Sequence, residues 1–322
     1  MQSKRLLFLC LDTLDLYKVF QDGFEKYSGC EVTTILYKPY KYKNNTERIL
    51  NFLSKVFLGK NLKKIWQGKS YFENINPDHK FEYAFTICPD LLDVGSLKHI
   101  KNISKKSIVY YWDGFDHFPQ YKNTIQYFDE CFTFDPIDAK NYNLKLITNF
   151  YFAEDRNTNP SQDIFFLSSY DSRYPLIEKI ISTIESQNKN MKIKVFQLPR
   201  SKKVTIPKPI SNSIQFIDQP IPFKETTALM RDTKIVLDIQ KDIQCGLTFR
   251  VFEAMGLGKK LITTNKDIVK YDFYNPNNIF IWTENTTFIP ENFLNTPYEE
   301  LPDEIYKKYS QENWVKQILG LN

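Results

Sequence analysis

The sequence holds few of the residues that build metal centres and disulfide frameworks. It has three histidines and five cysteines in 322 residues. Cys10, Cys30, Cys88, Cys131 and Cys245 stand singly, with no CxxC pair and no His/Cys cluster. That spacing argues against a structural zinc site and suits a reducing cytoplasm. Cys10, Cys88 and Cys131 lie in or beside apolar runs and read as buried thiols. Long apolar runs are missing as well. The N-terminal MQSKRLLFLCLDTLDLY is broken by Asp12 and Asp15, too early for a signal peptide or a spanning helix, so it reads as a first core strand. No other segment has the length and apolarity to cross a bilayer. No basic stripe with interleaved aromatics runs through the chain, which argues against a nucleic-acid partner. No paired-aspartate metal motif stands out either, so no metal and no cofactor are expected.

What is present is an ordinary globular composition, 42% hydrophobic and 25% charged, of a length that suits two domains. Aromatics are plentiful, with 26 Phe and 20 Tyr, and most of them read as core. The net charge of +5 is unevenly placed. Residues 41–70 carry Lys41, Lys43, Arg48, Lys55, Lys60, Lys63, Lys64 and Lys69 against Glu47 alone. In the same segment Ile49, Leu50, Phe52, Leu53, Val56, Phe57, Leu62, Ile65 and Trp66 recur at helical spacing. This basic helix, placed at 45–67, fits two settings. Either it faces the core with its lysines solvated, or it lies on an anionic membrane surface.

Along the chain, strand-like and helix-like segments alternate. Arg5–Leu11, Glu31–Tyr37, Phe81–Cys88, Ser107–Trp112, Glu130–Phe134 and Leu144–Phe150 read as strands of a first half. Polar AEDRNTNPSQ at 153–162 reads as an interdomain linker. The pattern then restarts with strands at Asp163–Ser168, Met191–Gln197, Ser213–Ile217, Lys234–Ile239, Lys260–Thr264 and Asn278–Trp282. Alternation of this kind implies α/β architecture with mostly parallel sheets. Two doubly wound units in tandem suggest two Rossmann-like domains facing a cleft. Ligands of such sheets sit beyond the carboxyl ends of strands, which selects the loops after Ser168, Trp112 and Ile239. The last segment, Pro302–Leu319, reads as one helix with a buried stripe of Ile305, Tyr309, Trp314, Ile318 and Leu319.

The stretch GLTFRVFEAMGLGKKLITTN at 246–265 carries the most chemistry. Thr248 is placed to cap a short helix, and Gly256 and Gly258 to end it where positive φ is needed. Arg250 and Glu253, three apart, share one side of that helix. A helix N-terminus attracts phosphate. A guanidinium grips phosphate oxygens as a fork. A carboxylate takes vicinal ribose hydroxyls. The blander reading is an ordinary helix–strand unit with a surface ion pair between Arg250 and Glu253.

FRVFEAMGLGKKLITTNKDI resembles the nucleotide-binding segment of GT-B glycosyltransferases. It is similar in particular to the CgeB-like, spore-maturation type of bacterial polysaccharide, lipopolysaccharide and capsule biosynthesis. YYWDGF at 110–115, FTFDPIDAKNY at 132–142 and FFLSSYDSRYPLIEKI at 165–180 resemble the same group. The resemblance implies an acceptor-binding domain over 1–152 and a nucleotide-sugar-binding domain over 153–303. It further implies a C-terminal helix, 304–322, crossing back to the first domain.

By position, Glu253 would hold the ribose, and Arg250 and Thr248 the diphosphate. Ser169 to Arg173 would form a loop beneath the diphosphate. Ile217 and the backbone at Asp218 would cradle the base. Many retaining members carry a second glutamate eight residues before the ribose-binding one. Here that position is Cys245, with Gln244 beside it as a neutral donor. An inverting transfer needs a general base. Asp113 is placed for it, with Asp116 and His117 as rivals, and Trp112 is placed to stack on an acceptor sugar. The expected activity is transfer of a hexose-type sugar from a UDP-sugar to a growing surface glycan or a polyprenyl-diphosphate-linked acceptor, at the cytoplasmic face of a membrane. A nucleotide-sugar epimerase and a non-enzymatic nucleotide- or sugar-binding protein are the alternatives.

Overall fold

A computed structural model describes residues 4–76, 80–188, 190–199, 205–241 and 245–321. The chain divides into two compact units, one of Met1–Ile147 with Val315–Asn322, the other of Thr148–Trp314.

The first unit is a six-stranded sheet of β1 (Arg5–Leu11), β2 (Glu31–Tyr37), β3 (Phe81–Ile87), β4 (Ser104–Tyr111), β5 (Glu130–Thr133) and β6 (Lys145–Leu146). All pairings are parallel, in the order β2-β1-β3-β4-β5-β6. Leu6 through Cys10 of β1 are buried without alternation, as expected for a strand covered on both faces. The crossovers carry α1 (Leu16–Tyr27), α2 (Asn45–Leu58), α3 (Leu62–Phe72), α4 (Val94–Ile103) and α5 (Pro136–Tyr142).

The second unit has β7 (Gln162–Tyr170), α6 (Tyr174–Gln187), β8 (Ile193–Pro199), β9 (Ile214–Phe216), α7 (Phe223–Arg231) and β10 (Thr233–Asp238). It continues with α8 (Phe249–Gly256), β11 (Lys260–Thr263), β12 (Ile279–Ile281), α9 (Glu291–Asn295), α10 (Asp303–Lys308) and α11 (Gln311–Leu319), the last running past the unit boundary at Trp314. Its strands are again all parallel, in the order β9-β8-β7-β10-β11-β12. That is the doubly wound 3-2-1-4-5-6 order, with its switch point between β7 and β10. One core layer packs Ile177, Ile180, Ile181 and Ile184 of α6 against Ile164, Phe166, Ile235 and Leu237. The opposite layer packs Val251, Phe252 and Met255 of α8 against Phe165, Val236 and Leu261.

Several local expectations change. The basic helix is two helices, because Gly59 turns left-handed (φ 62°) after Leu58 and α3 restarts with Asn61 as its cap. The core-facing setting for α2 is overturned. Its buried positions are Asn51 and Ser54, while Ile49, Leu50, Phe52, Leu53, Val56 and Phe57 are exposed. The strand expected over 144–150 shortens to Lys145–Leu146. Between β4 and β5, Pro119–Asn123 and Ile125–Tyr127 form a pair of 3-10 turns.

The terminal helix breaks in two at Tyr309 and Ser310. There Tyr151 N–H donates to the Tyr309 carbonyl (3.0 Å), and Gln311 N–H donates to the Tyr151 carbonyl (2.9 Å), so the backbone of 309–311 pairs with Tyr151 instead of continuing the helix. The polar stretch 153–162 lies inside the second unit, where Asp232 accepts from the Asn157 amide (3.1 Å) and from Ser161 N–H (2.9 Å). Gly258 has the expected positive φ of 62°. Gly256 is required for a different reason. A Cβ there would stand 2.6 Å from the Ala153 carbonyl and 2.7 Å from the Tyr151 Cβ.

Candidate functional site

The carboxyl end of β10 ends in a carboxylate, Asp238, with 1% of its surface exposed. Burying an ion in an otherwise apolar strand requires partners. Thr263 at the end of β11 donates its hydroxyl to Oδ2 (2.9 Å), and Thr248 donates to Oδ1 (2.7 Å). Thr248 does sit at the N-cap of α8, with extended backbone (φ −69°, ψ 162°), but its side chain makes no cap bond. A buried carboxylate is a stronger acceptor for the hydroxyl than a weakly polar backbone N–H is a donor to it. Thr248 therefore ties α8 to the sheet, and its hydroxyl does not cap the helix start.

Arg250, in the first turn of α8, stretches across the switch point. Its Nη2 donates to the Leu167 carbonyl of β7 (2.7 Å), its guanidinium lies 5.1 Å over the Phe166 ring, and its Nη1 stands 4.0 Å from Asp238 Oδ1. Burial pushes its pKa down, while Asp238 and Glu253 oppose that and Arg173 adds to it. Glu253 is 6% exposed, one turn further along α8. Among the described residues its side chain makes one long bond, accepted from the Thr227 hydroxyl at 3.4 Å. Burial raises its pKa from the ordinary 4.5 to about 7, against the pull of Arg250 and the Thr227 bond. Arg250 and Glu253 are thus neither at the surface nor paired with each other as an ion pair among the described residues. They are two charges held in a low-dielectric corner, each with capacity left for a ligand.

Arg173 follows β7 and closes the other side of the switch point. Nε and Nη2 form a fork on Asp171 (both 2.8 Å), and Nη1 donates to the Ile239 carbonyl just beyond β10 (2.7 Å). Its charge is offset within its own turn, and it joins the ends of the two central strands. Ser169 is half-buried at the end of β7, where its carbonyl accepts from the Ser168 hydroxyl (3.2 Å). Ile217 lies just past edge strand β9, two strands from the switch point, with its N–H on the Gln197 carbonyl (3.0 Å). Gln244 lies outside the described residues.

Two contributors escaped the sequence reading. Asp238 was legible only as a lone carboxylate in the apolar run TKIVLDI. Gln197 is fully buried near the end of β8, donates to Ser168 Oγ (2.9 Å), and its Oε1 finds no partner among the described residues.

The remaining residues belong to the first unit. Trp112 and Asp113 follow β4, both half-buried, with Trp112 in ring contact with Phe20 of α1 at 6.4 Å. Asp113 lies near Cys88, whose thiol burial pushes up to about 12 with help from Asp90 and Asp113. Asp116 and His117 are exposed in the following turn, where the N–H groups of His117 and Phe118 both return to the Gly114 carbonyl (3.0 Å). The motif around Pro136 supports this turn. Asp135 caps α5, and buried Asp138 accepts from Phe115 N–H (2.9 Å). Leu14 and Asp15 after β1 and Cys88 after β3 all adopt positive φ, at 53°, 68° and 54°. Non-glycine backbone of that kind clusters at functional edges. It falls here at the β1/β3 switch point of the first sheet. Among the described residues no group of three or more His, Cys, Asp or Glu could hold a metal ion.

No protein family and no curated protein matches the sequence. Solved structures do match in fold. One is the DNA-modifying enzyme β-glucosyltransferase, determined with and without its substrate uridine diphosphoglucose (12% identity, TM-score 0.51, covering 98% of this chain and 100% of that one). Another is HepE from Anabaena in complex with UDP and glucose (11% identity, TM-score 0.51, covering 98% and 95%). The likeness is one of fold, two Rossmann-like units of the GT-B class, over nearly the whole length.

Proposed function

We propose that this chain is a glycosyltransferase that takes a sugar from a UDP-sugar and passes it to a surface glycan or a lipid-linked acceptor. In this reading the second unit binds the donor and the first binds the acceptor. The observation that carries it is the corner of Asp238, Thr248, Arg250 and Glu253 at a doubly wound switch point. A helix start whose N-cap hydroxyl is turned away to Asp238 and a half-buried guanidinium offer charge stabilisation to a leaving diphosphate, usually the largest catalytic term. The buried Glu253 carboxyl, with one long bond among the described residues, suits a pair of ribose hydroxyls. The two matched structures add support, since one was determined with and without a uridine diphosphoglucose substrate and the other holds UDP and glucose.

In the transfer, the acceptor oxygen bonds to the anomeric carbon as the bond from that carbon to the diphosphate oxygen breaks. The nucleoside diphosphate leaves, and the acceptor proton passes to a base, for which Asp113 is the proposed group. A lipid-linked acceptor would bring the protein to the inner face of a membrane.

Thermal-shift measurements with UDP, GDP, ADP, CMP and dTDP, on wild type beside Glu253→Ala, test the donor site. A nucleotide at a hundred times its Kd stabilises by about 2.7 kcal/mol. The expected result is one responding nucleotide, UDP, with the response lost in the variant. No response to any nucleotide would overturn the reading. Release of nucleotide and a rearranged sugar without acceptor would make the protein an epimerase instead.

A further inference from the structure

Helix α2 is inside out. On a surface helix the apolar stripe faces the protein. Here Ile49, Phe52, Leu53 and Val56, spaced three and four apart, line the outer face with Leu50 and Phe57 beside them. Phe52 is 64% exposed and Phe57 76%. This is not slack in the packing, because the rotation of the helix is fixed by hydrogen bonds on its inner, polar side. Buried Asn51 donates to the Tyr42 hydroxyl (2.8 Å) and accepts from Lys63 N–H (2.9 Å). Asn44 accepts from Glu47 N–H (2.9 Å), and Glu47 reaches back to Lys43 N–H (2.8 Å) and to the Tyr40 hydroxyl. That reciprocal box anchors the first turn. Turning the apolar face inward would break the bonds of Asn51 to Tyr42 and to Lys63.

The charges beside this face are all of one sign. Arg48 and Lys55, two turns apart, run along one flank of it, and both are exposed. Arg48 and Lys63 both lie over the Tyr42 ring, at 5.8 and 5.3 Å. Lys41, Lys43, Lys60 and Lys69 are exposed nearby in sequence. A second copy would set this cationic face against its own like charge. Nucleic acid would answer the charge but leave six large apolar side chains uncovered. An anionic bilayer answers both, since acyl chains cover the apolar face while headgroup phosphates meet the cations.

We propose that α2 seats the protein on an anionic lipid surface, with the Ile49–Phe57 face in the headgroup–acyl boundary and Arg48 and Lys55 on lipid phosphates. At 1.5 Å per residue the fourteen residues of α2 make a rod of about 21 Å lying in the plane. This goes beyond the donor-site reading and stands without it, because α2 and its partners belong to the first unit and the Asp238 corner to the second.

Flotation of the purified chain with phosphatidylcholine vesicles, and with vesicles containing phosphatidylglycerol, tests the proposal. Wild type is expected to float with the anionic vesicles and at least about tenfold less with the neutral ones. Phe52→Ser with Phe57→Ser should lower anionic binding at least about tenfold. Arg48→Gln with Lys55→Gln should lower it severalfold, at about fivefold per cation, and added salt should mimic that change. All four side chains are exposed, so melting temperature and nucleotide response should stay at wild-type values, and the donor-site reading is scored separately. Equal flotation of the Phe variant, or no flotation of wild type, overturns the proposal. So does a wild-type dimer on size exclusion that the Phe variant converts to monomer, which would make the face a self-association surface.

Discussion

Replacing Glu253 with glutamine should make the protein more stable and less able to bind its ligand, and both effects should depend on pH. The carboxyl is 6% exposed, and burial lifts its pKa from 4.5 to about 7. The folded value therefore lies above the unfolded one. Stability is full below pH 4.5, where both states hold the proton. It falls as pH rises through about 7, where the folded chain must bury a carboxylate that the unfolded chain leaves in water. At about 1.4 kcal/mol for each tenfold change in proton activity, the cost above pH 7 reaches about 3 kcal/mol. Glutamine keeps the shape and can still meet Thr227, but it never ionises. Glu253→Gln should thus match wild type near pH 4.5 and exceed it by about 3 kcal/mol at pH 8, read by urea unfolding at both pH values. On a UDP-sugar, calorimetric affinity of wild type should rise with pH, because ribose hydroxyls donate best to the ionised carboxylate. The variant should bind at least about tenfold more weakly at pH 8, with no such rise. A stability difference that is the same at both pH values would refute the burial argument. A pH-independent wild-type affinity would refute the ribose assignment.

Other outcomes follow from the same contacts. Asp238→Ala should cost about 2–4 kcal/mol in urea unfolding, because it leaves the Thr248 and Thr263 hydroxyls without their acceptor; a loss under about 0.5 kcal/mol would show that water replaces the carboxylate. Gly256→Ala gains about 1 kcal/mol of helix propensity. It must still lower the melting temperature, since its Cβ would meet the Ala153 carbonyl at 2.6 Å, and an unchanged or raised melting temperature would disprove the clash. Asp113→Asn should reduce turnover at least about a hundredfold while leaving UDP-sugar affinity within about twofold. Near-normal turnover removes Asp113 from the role of base.

The parallel sheets were legible because their strands are continuous apolar runs separated by helical periods, a signal carried by neighbouring residues alone. The α8 segment was legible for the same reason, with Arg250 and Glu253 falling on one turn. What could not be read was the partner of each group. A threonine before a helix can cap it, but at position 248 a buried carboxylate ten residues upstream competes for the hydroxyl and wins. Arg173 was placed in a loop beneath the diphosphate, yet Asp171 two residues earlier closes a fork on it. Helical periodicity in α2 revealed an apolar stripe but not the medium that meets it. That depended on Asn51 and Glu47, whose partners Tyr42, Lys63 and Tyr40 lie in the segments before and after the helix.

The first compact unit is discontinuous, for Val315–Asn322 belong with Met1–Ile147 while the whole of Thr148–Trp314 forms the second. Val315, Ile318 and Leu319 are nearly inaccessible to solvent, so they are structural parts of the unit to which they belong. On a ribosome, the half of the chain made first is the half completed last. The second unit has all its residues once Trp314 has emerged, whereas the first must wait for the final turns of α11. Emergence of α11, rather than synthesis of the first 147 residues, sets the earliest moment at which that first unit can close.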